Sequence, residues 1–232
     1  MGLGARIVGV IFSPRETFAA VAARPQWLGV LAITLTVLSA SYYVLMSNQM
    51  MQDNIIDQQI SAMERNGQAV SDQTIAGMET FIGTYLPPIY AVAVLVVGPL
   101  ISAAIAGVVM WIFTALMGGT GTFRQVFAVM CHAGVVSTLS AVFMAGMLLA
   151  GVEPQGVRPP SANLGAFVPM LDDTSFVYIF MRTIDLILLW WMFTLAVGLG
   201  VLYKRKTGPI FMTFLGIYLT IALIVAFVSS GA

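Results

Sequence analysis

Charged side chains are scarce in this sequence. Only 9% of the 232 residues are charged, and ten basic and ten acidic residues give a formal net charge of zero. Soluble domains carry about 25% charged residues, so an ordinary water-soluble domain is excluded. The balanced charge leaves no basic stripe for nucleic acid, and we expect no nucleic-acid partner.

The side chains that carry metal and redox chemistry are equally few. One cysteine and one histidine exclude a disulfide framework, a cysteine-rich zinc module and an iron–sulfur site. Cys131 and His132 are adjacent, so they point about 100° apart on a helix and cannot close a metal site alone. The motifs G-x-S-x-G and H-E-x-x-H do not occur. We therefore expect no enzymatic activity, no cofactor and no metal.

Apolar residues dominate what is present. They make up 59% of the chain, and the mean hydropathy is +0.94. A bilayer-crossing helix needs about 20 mostly apolar residues, and the strands of a membrane barrel alternate over only about 10. The sequence predicts an all-α polytopic membrane helix bundle with five transmembrane helices, which are expected at 27–46, 86–117, 125–151, 176–203 and 208–228.

The basic residues predict the orientation of this bundle, because cytoplasmic loops are enriched in Lys and Arg. With a cytoplasmic N-terminus, that side receives seven of the ten: Arg6, Arg15, Arg24, Arg124, Lys204, Arg205 and Lys206. We expect an integral protein of the inner or plasma membrane with its C-terminus on the far side.

Residues 1–26 are predicted to form a cytoplasmic-face segment that contains an amphipathic helix. Ser13 is placed to cap this helix, Pro14 suits its first turn, and Glu16 fits a capping box. Arg24 precedes a proline, which ends the helix. Such a helix would lie in the membrane interface. It would serve as a topological anchor or, alternatively, in curvature sensing or partner docking.

The segment that follows the first span is rich in methionine. Apolar residues recur near helical spacing from Met51 to Met63, so a helix is expected to continue outward from the span. The methionines suggest an adaptable apolar face. Thioether binding of Cu(I) is the alternative, although no His or Cys lies in this segment.

Two further connections have simple interpretations. Residues 118–122 lack the Lys-Ser/Thr ending of a phosphate-binding loop, so they predict a tight helical hairpin. Thr122 and Gln125 fit a capping box at the start of the third span. The segment Val152–Ser175 contains four prolines and predicts a polar loop without a long helix.

Four residues within the predicted spans are candidates for function. Ionisable groups are costly in hydrocarbon, and His132, Arg182 and Asp185 are the ones singled out. The simpler interpretation pairs Arg182 with Asp185 on one helix face, and the alternative is a His132–Asp185 contact that forms a proton-sensitive relay. Pro99 is expected to kink the second span.

Several motifs together resemble the Yip family of five-span membrane proteins. They are Phe12-Ser-Pro-Arg-Glu-Thr-Phe18, Arg24-Pro-Gln-Trp27, Gly118-Gly-Thr-Gly-Thr-Phe-Arg-Gln125, Ile184-Asp185 and Trp190. The resemblance implies a cytosolic N-terminus, five helices and a C-terminus on the far side. It implies no catalytic residue.

The same resemblance bears on partners. Eukaryotic members of the family are implicated in vesicle traffic and in contact with small Rab-type GTPases, and they carry a longer cytosolic N-terminal segment. This chain has about two dozen residues before its first span, which resembles prokaryotic members of unassigned role and argues against GTPase binding.

The functional expectation is accordingly a non-enzymatic membrane scaffold or organiser. It would bind the lipid bilayer, other membrane proteins or a second copy of itself. The alternative is a small transporter, channel or lipid-handling protein with a cavity near the Pro99 kink.

Overall fold

The computed structural model describes residues 1–117, 120–154 and 161–230, and every regular element in these ranges is helical. The predicted all-α fold is confirmed. The α-helices in chain order are α1 Leu3–Phe12, α2 Pro14–Ala23, α3 Leu28–Met46, α4 Gln49–Arg65, α5 Asp72–Thr80, α6 Leu86–Met117, α7 Phe123–Leu149, α8 Phe176–Thr183, α9 Leu186–Leu202 and α10 Thr207–Ser229.

The chain forms two compact units. Unit 1 comprises residues 1–34, 99–140 and 162–232, and unit 2 comprises residues 35–98 and 141–161. Each unit is described below by itself.

Long apolar helices support an integral membrane protein. Within the described ranges, four helices are long and apolar enough to cross a bilayer: α3, α6, α7 and α10. They coincide closely with four of the predicted spans. The apolar helix α9 has 17 residues, or about 25 Å at 1.5 Å per residue, slightly less than the hydrocarbon core of about 30 Å. The fifth crossing and the orientation therefore stay predictions.

The N-terminal segment contains two short helices. Ser13 lies between them, but its side chain makes no capping hydrogen bond. The predicted Ser13 cap is wrong because its backbone (φ −142°, ψ 58°) does not have the extended conformation that directs a cap at the helix. The Ser13 carbonyl instead accepts hydrogen bonds from the Thr17 amide and hydroxyl, at 3.1 and 3.0 Å. Helix α2 ends at Ala23, as Arg24-Pro25 predicts.

The apolar face of α2 is buried in unit 1. Phe18 and Val21 are completely inaccessible, and α2 packs on α9. The contact is close at Gly198, where a β-carbon would lie 2.6 Å from Cγ1 of Val129 and 3.0 Å from the Phe18 ring. The apolar face of α2 thus meets protein, while α1 leaves Phe12 78% exposed.

The connections agree with their local signals. Thr122 and Gln125 form the predicted capping box: the Thr122 amide donates to Oε1 of Gln125 at 3.0 Å, and the Gln125 amide donates to the Thr122 hydroxyl at 3.4 Å. Gly118 and Gly119 lie outside the described residues. In the described parts of the segment from 152 to 175, the regular structure is the short 3₁₀ turn Leu164–Phe167.

A β-carbon at Gly198 is expected to disturb the α2–α9 contact. Gly198→Ala should lower the free energy of unfolding by about 1–3 kcal/mol, since the added methyl meets a packed core. The matched control is Gly134→Ala, where nothing lies within 4 Å of the added carbon. Thermal unfolding in detergent micelles measures both. Equal midpoints for the two variants would contradict the packing described.

Candidate functional site

The predicted fourth span is broken at Asp185. Helix α8 ends at Thr183, and α9 begins at Leu186 with Asp185 as its N-cap. Oδ1 of Asp185 accepts a hydrogen bond from the Leu188 amide at 2.8 Å. One continuous helix over 176–203 is therefore wrong, because the carboxylate starts a new helix instead of lying along an existing one.

Chain segments on either side of the break exchange backbone hydrogen bonds. The Leu186 amide donates to the carbonyl oxygen of Ala162 at 2.8 Å, and the Leu164 amide donates to that of Ile184 at 2.9 Å. These bonds accompany the isolated antiparallel bridge between Asn163 and Asp185. They supply partners that the interrupted helix can no longer provide.

A tyrosine hydroxyl from α10 completes the break. Tyr218 Oη accepts a hydrogen bond from the Asp185 amide at 2.9 Å and donates one to the Thr183 carbonyl oxygen at 2.6 Å. One side chain thus satisfies the last turn of α8 and the N-cap of α9. Asp185 is a structural residue of this junction.

Arg182 has a different neighbour from the one predicted. Its guanidinium carbon lies 5.5 Å from the centroid of the Tyr178 ring, which is a cation–π distance. The predicted pairing of Arg182 with Asp185 on one helix face is wrong, because the helix ends between them.

His132 is fully buried in α7. Its Nδ1 lies 2.7 Å from the Ala128 carbonyl oxygen, and since a carbonyl only accepts, Nδ1 carries the hydrogen. Nε2 is buried and has no hydrogen-bond partner among the described residues. His132 and Asp185 therefore share no hydrogen bond, and the proposed relay has no direct link.

Pro99 lies inside α6, and helical structure continues on both sides of it. In unit 2 the preceding Gly98 allows a close approach, since a β-carbon there would lie 2.7 Å from Cδ2 of Leu35. Pro99 lines neither of the two cavities described here and in the last subsection. Neither cavity therefore corresponds to the one expected near Pro99.

Unit 2 encloses a cavity of about 720 Å³ between the end of α3, helices α4 and α5, and the start of α6. Volumes of about 300–1,000 Å³ are typical of small-molecule sites. Most of its lining is apolar and includes Leu45, Met46, Met51, Ile55, Met78 and Ile82. The amides of Gln58 and Gln59 and the hydroxyl of Thr74 add polar groups to the lining.

Local capping shapes this cavity. Helix α4 is a new helix and not the expected continuation of the first span, because Asn48 caps it by accepting the Met51 amide at 3.1 Å. The buried Gln52 side chain donates a hydrogen bond, 2.8 Å long, to the carbonyl oxygen of Met46, which is the last residue of α3. Ser71 caps α5 through the Thr74 amide at 3.2 Å.

A π-helical segment, Phe81–Tyr85, joins α5 to α6 beside the cavity. Such wider turns occur often at functional sites. Phe81 and Ile82 from this segment line the cavity. Neither α5 nor the π-helical segment was predicted from the sequence, although Ser71 followed by Asp72 in the first turn is a helix-start signal that could have marked α5.

Methionines form part of the apolar lining of this cavity. Met46, Met51 and Met78 line the cavity, whereas Met50 is exposed. Within the described ranges, no group of three or more His, Cys, Asp or Glu could hold a metal ion. The mostly apolar lining of the cavity, with its few polar residues, suits an apolar or amphipathic guest.

A family model described as the Yip1 domain matches residues 8–229, nearly the whole chain. No curated protein and no solved structure matches the chain.

The junction at Asp185 predicts distinct effects for two substitutions. Tyr218→Phe should lower the free energy of unfolding by about 1–3 kcal/mol, because an amide and a carbonyl lose their partner. Asp185→Asn should have little effect, since asparagine caps a helix as well as aspartate does. Thermal unfolding in micelles measures both, with Tyr43→Phe, at an exposed tyrosine, as the control. A large loss in Asp185→Asn would show that the carboxylate charge has a further role.

Proposed function

Because the chain belongs to the Yip1 domain family of membrane proteins, we propose that it is a non-enzymatic membrane organiser that binds membrane lipid. The observation that carries this proposal is the apolar cavity of unit 2. The occupant we assign to it is an acyl chain of a phospholipid.

The composition of the cavity lining supports a lipid guest. Leu45, Ile82 and three methionines provide a soft apolar wall, and methionine adapts its shape to flexible ligands. The carboxamides of Gln58 and Gln59 provide hydrogen-bonding groups for the ester region of the same lipid. An amphipathic molecule fits this mixture better than an ion, for which the described lining offers no charged residue.

Exposed apolar side chains support the organiser role. Val96, Leu100 and Trp111 on α6 are 61%, 68% and 70% exposed. In a bilayer these side chains meet acyl chains, or they pack against another membrane protein or a second copy of this chain. Large exposed apolar patches are typical of such contacts.

A photoactivatable phospholipid with a diazirine on its acyl chain tests the lipid site. At limiting lipid in neutral detergent, we expect saturable labelling of peptides from residues 45–59 and 74–90. Gly77 lines the cavity, and nothing lies within 4 Å of its β-carbon position. Gly77→Leu should therefore fill space and reduce this labelling several-fold.

Gly146→Leu is the matched control. Gly146 is also an exposed helical glycine of unit 2 with open space around its β-carbon position, but it does not line the cavity. Equal labelling in the two variants would contradict a lipid site in the cavity. Labelling that rises linearly with lipid instead of saturating would contradict it as well.

We also propose the topology that the basic residues predict, with the N-terminus in the cytoplasm and five crossings. The support is the excess of Lys and Arg on one side together with the apolar composition of α9. A small epitope tag fused after Ala232 should be accessible from outside intact cells, and one fused before Met1 should not. Accessibility of both tags from the same side would contradict an odd number of crossings.

A further inference from the structure

A second cavity, in unit 1, is enriched in positive charge. Its volume is about 420 Å³, and it lies between α1, the connection before α3, and the first turns of α3 and α7. Two arginines, Arg6 and Arg124, contribute to its lining, and no acidic residue does so among the described residues. Two positive charges at one cavity without a counter-charge favour an anion.

Arg6 is buried, and within the described ranges it has no ionic partner. Only 4% of its surface is exposed. Nη1 donates to the Arg24 carbonyl oxygen at 3.3 Å, whereas Nε is buried and has no hydrogen-bond partner among the described residues. A buried guanidinium is costly unless its N–H groups are satisfied. The unsatisfied Nε shows that the positive charge of Arg6 is incompletely compensated, and the same residue lines the cavity.

Arg124 lies where a cation is unfavourable. It is the second residue of α7, whose first turn contains no acidic residue. The N-terminus of a helix carries partial positive charge, so a basic side chain there is repelled. Its Nε donates to the Pro25 carbonyl oxygen at 3.3 Å, which holds the exposed side chain at the cavity. A bound anion would offset the repulsion.

The start of α3 adds hydrogen-bond donors. Leu28 and Gly29 line the cavity in the first turn of this 19-residue helix. The first amides of a helix have no acceptor within it. Helix N-termini bind phosphate for this reason. The start of α3 and two arginines thus meet at one cavity.

We propose that this cavity binds the phosphate group of an anionic phospholipid. The membrane source is favoured because Leu28 and Leu3, which line the same cavity, are 68% and 41% exposed. Leu28 also begins an apolar helix long enough to cross the bilayer. The cavity therefore lies at the level of the lipid headgroups, with exposed apolar side chains for the acyl chains. Under the predicted orientation it faces the cytoplasmic leaflet, where anionic lipids attract basic residues.

The anion site proposed in unit 1 does not depend on the lipid site proposed in unit 2. It concerns another unit, other residues and the headgroup instead of the acyl chain. Substitution of Arg124 should leave labelling of residues 45–59 and 74–90 unchanged, and Gly77→Leu should leave headgroup selectivity unchanged.

The test is native mass spectrometry of the purified full chain in neutral detergent. Phosphatidylglycerol and phosphatidylcholine with the same acyl chains are titrated separately, and bound lipids are counted. We expect phosphatidylglycerol to bind more tightly, and Arg124→Gln to weaken it about tenfold, the effect of losing one charge-assisted hydrogen bond. Equal binding of the two lipids would overturn the proposal.

Arg15→Gln is the control, because Arg15 is an exposed arginine of α2 that does not line the cavity. The same loss in Arg15→Gln as in Arg124→Gln would overturn a defined site, because it would show general attraction to positive charge. Arg6→Gln should abolish the selectivity, and Arg6→Lys should restore part of it if both fold with wild-type midpoints. Since Arg124 is exposed, its variant tests the proposal even where the Arg6 variants fail to fold.

Competition with inorganic phosphate distinguishes a lipid from a soluble anion. We expect inorganic phosphate to compete only weakly, because it lacks the acyl chains that contact Leu3 and Leu28. Tight, Arg124-dependent binding of inorganic phosphate with no preference for phosphatidylglycerol would assign the site to a soluble anion and overturn the lipid source.

Discussion

Hydrocarbon offers no hydrogen-bond partner, so each backbone group in a membrane-spanning region must find one within the protein. Unbroken helices meet this requirement alone, and interrupted helices need help from elsewhere in the chain. At the α8–α9 junction the help comes from the carbonyl of Ala162, the amide of Leu164 and the hydroxyl of Tyr218. Asp185 then starts α9 with its own carboxylate. At this break between α8 and α9, the backbone groups thus find partners within the protein.

The same requirement shapes unit 2. Where α3 ends, Gln52 reaches the Met46 carbonyl and Asn48 caps the next helix. With these bonds the chain can turn into α4 and α5 beside the membrane helices, and a cavity lies among them. Its lining is mostly apolar with a few polar residues, which favours the amphipathic guest proposed above. The proposed lipid binding follows from the way these helices begin and end.

Like His132 Nε2 and Tyr203 Oη, one atom of Arg6 departs from this pattern of satisfied groups in the described part of the chain. Its Nε is buried and lacks a partner in the described part of the chain, and Arg124 lies against the positive end of α7. Each feature alone costs stability, and one anion in the shared cavity would offset both. Elsewhere in unit 1 the packing is tight: the Phe18 ring lies against Gly198 of α9. A phosphate group bound in the shared cavity would link the N-terminal helices to the membrane surface.

Hydropathy by itself determined the class of this protein and four of its long helices, because a run of about 20 apolar residues is a local property. The Thr122–Gln125 capping box was equally predictable, since its partners lie three residues apart. The break at Asp185 was not, because one of its partners, Tyr218, lies 33 residues away along the chain. The two cavities likewise exist only where distant helix ends meet. Only the tertiary structure decided which polar residues join two helices and which line a candidate site. The reason is that the hydrogen-bond partner of a buried polar group can lie far away along the chain.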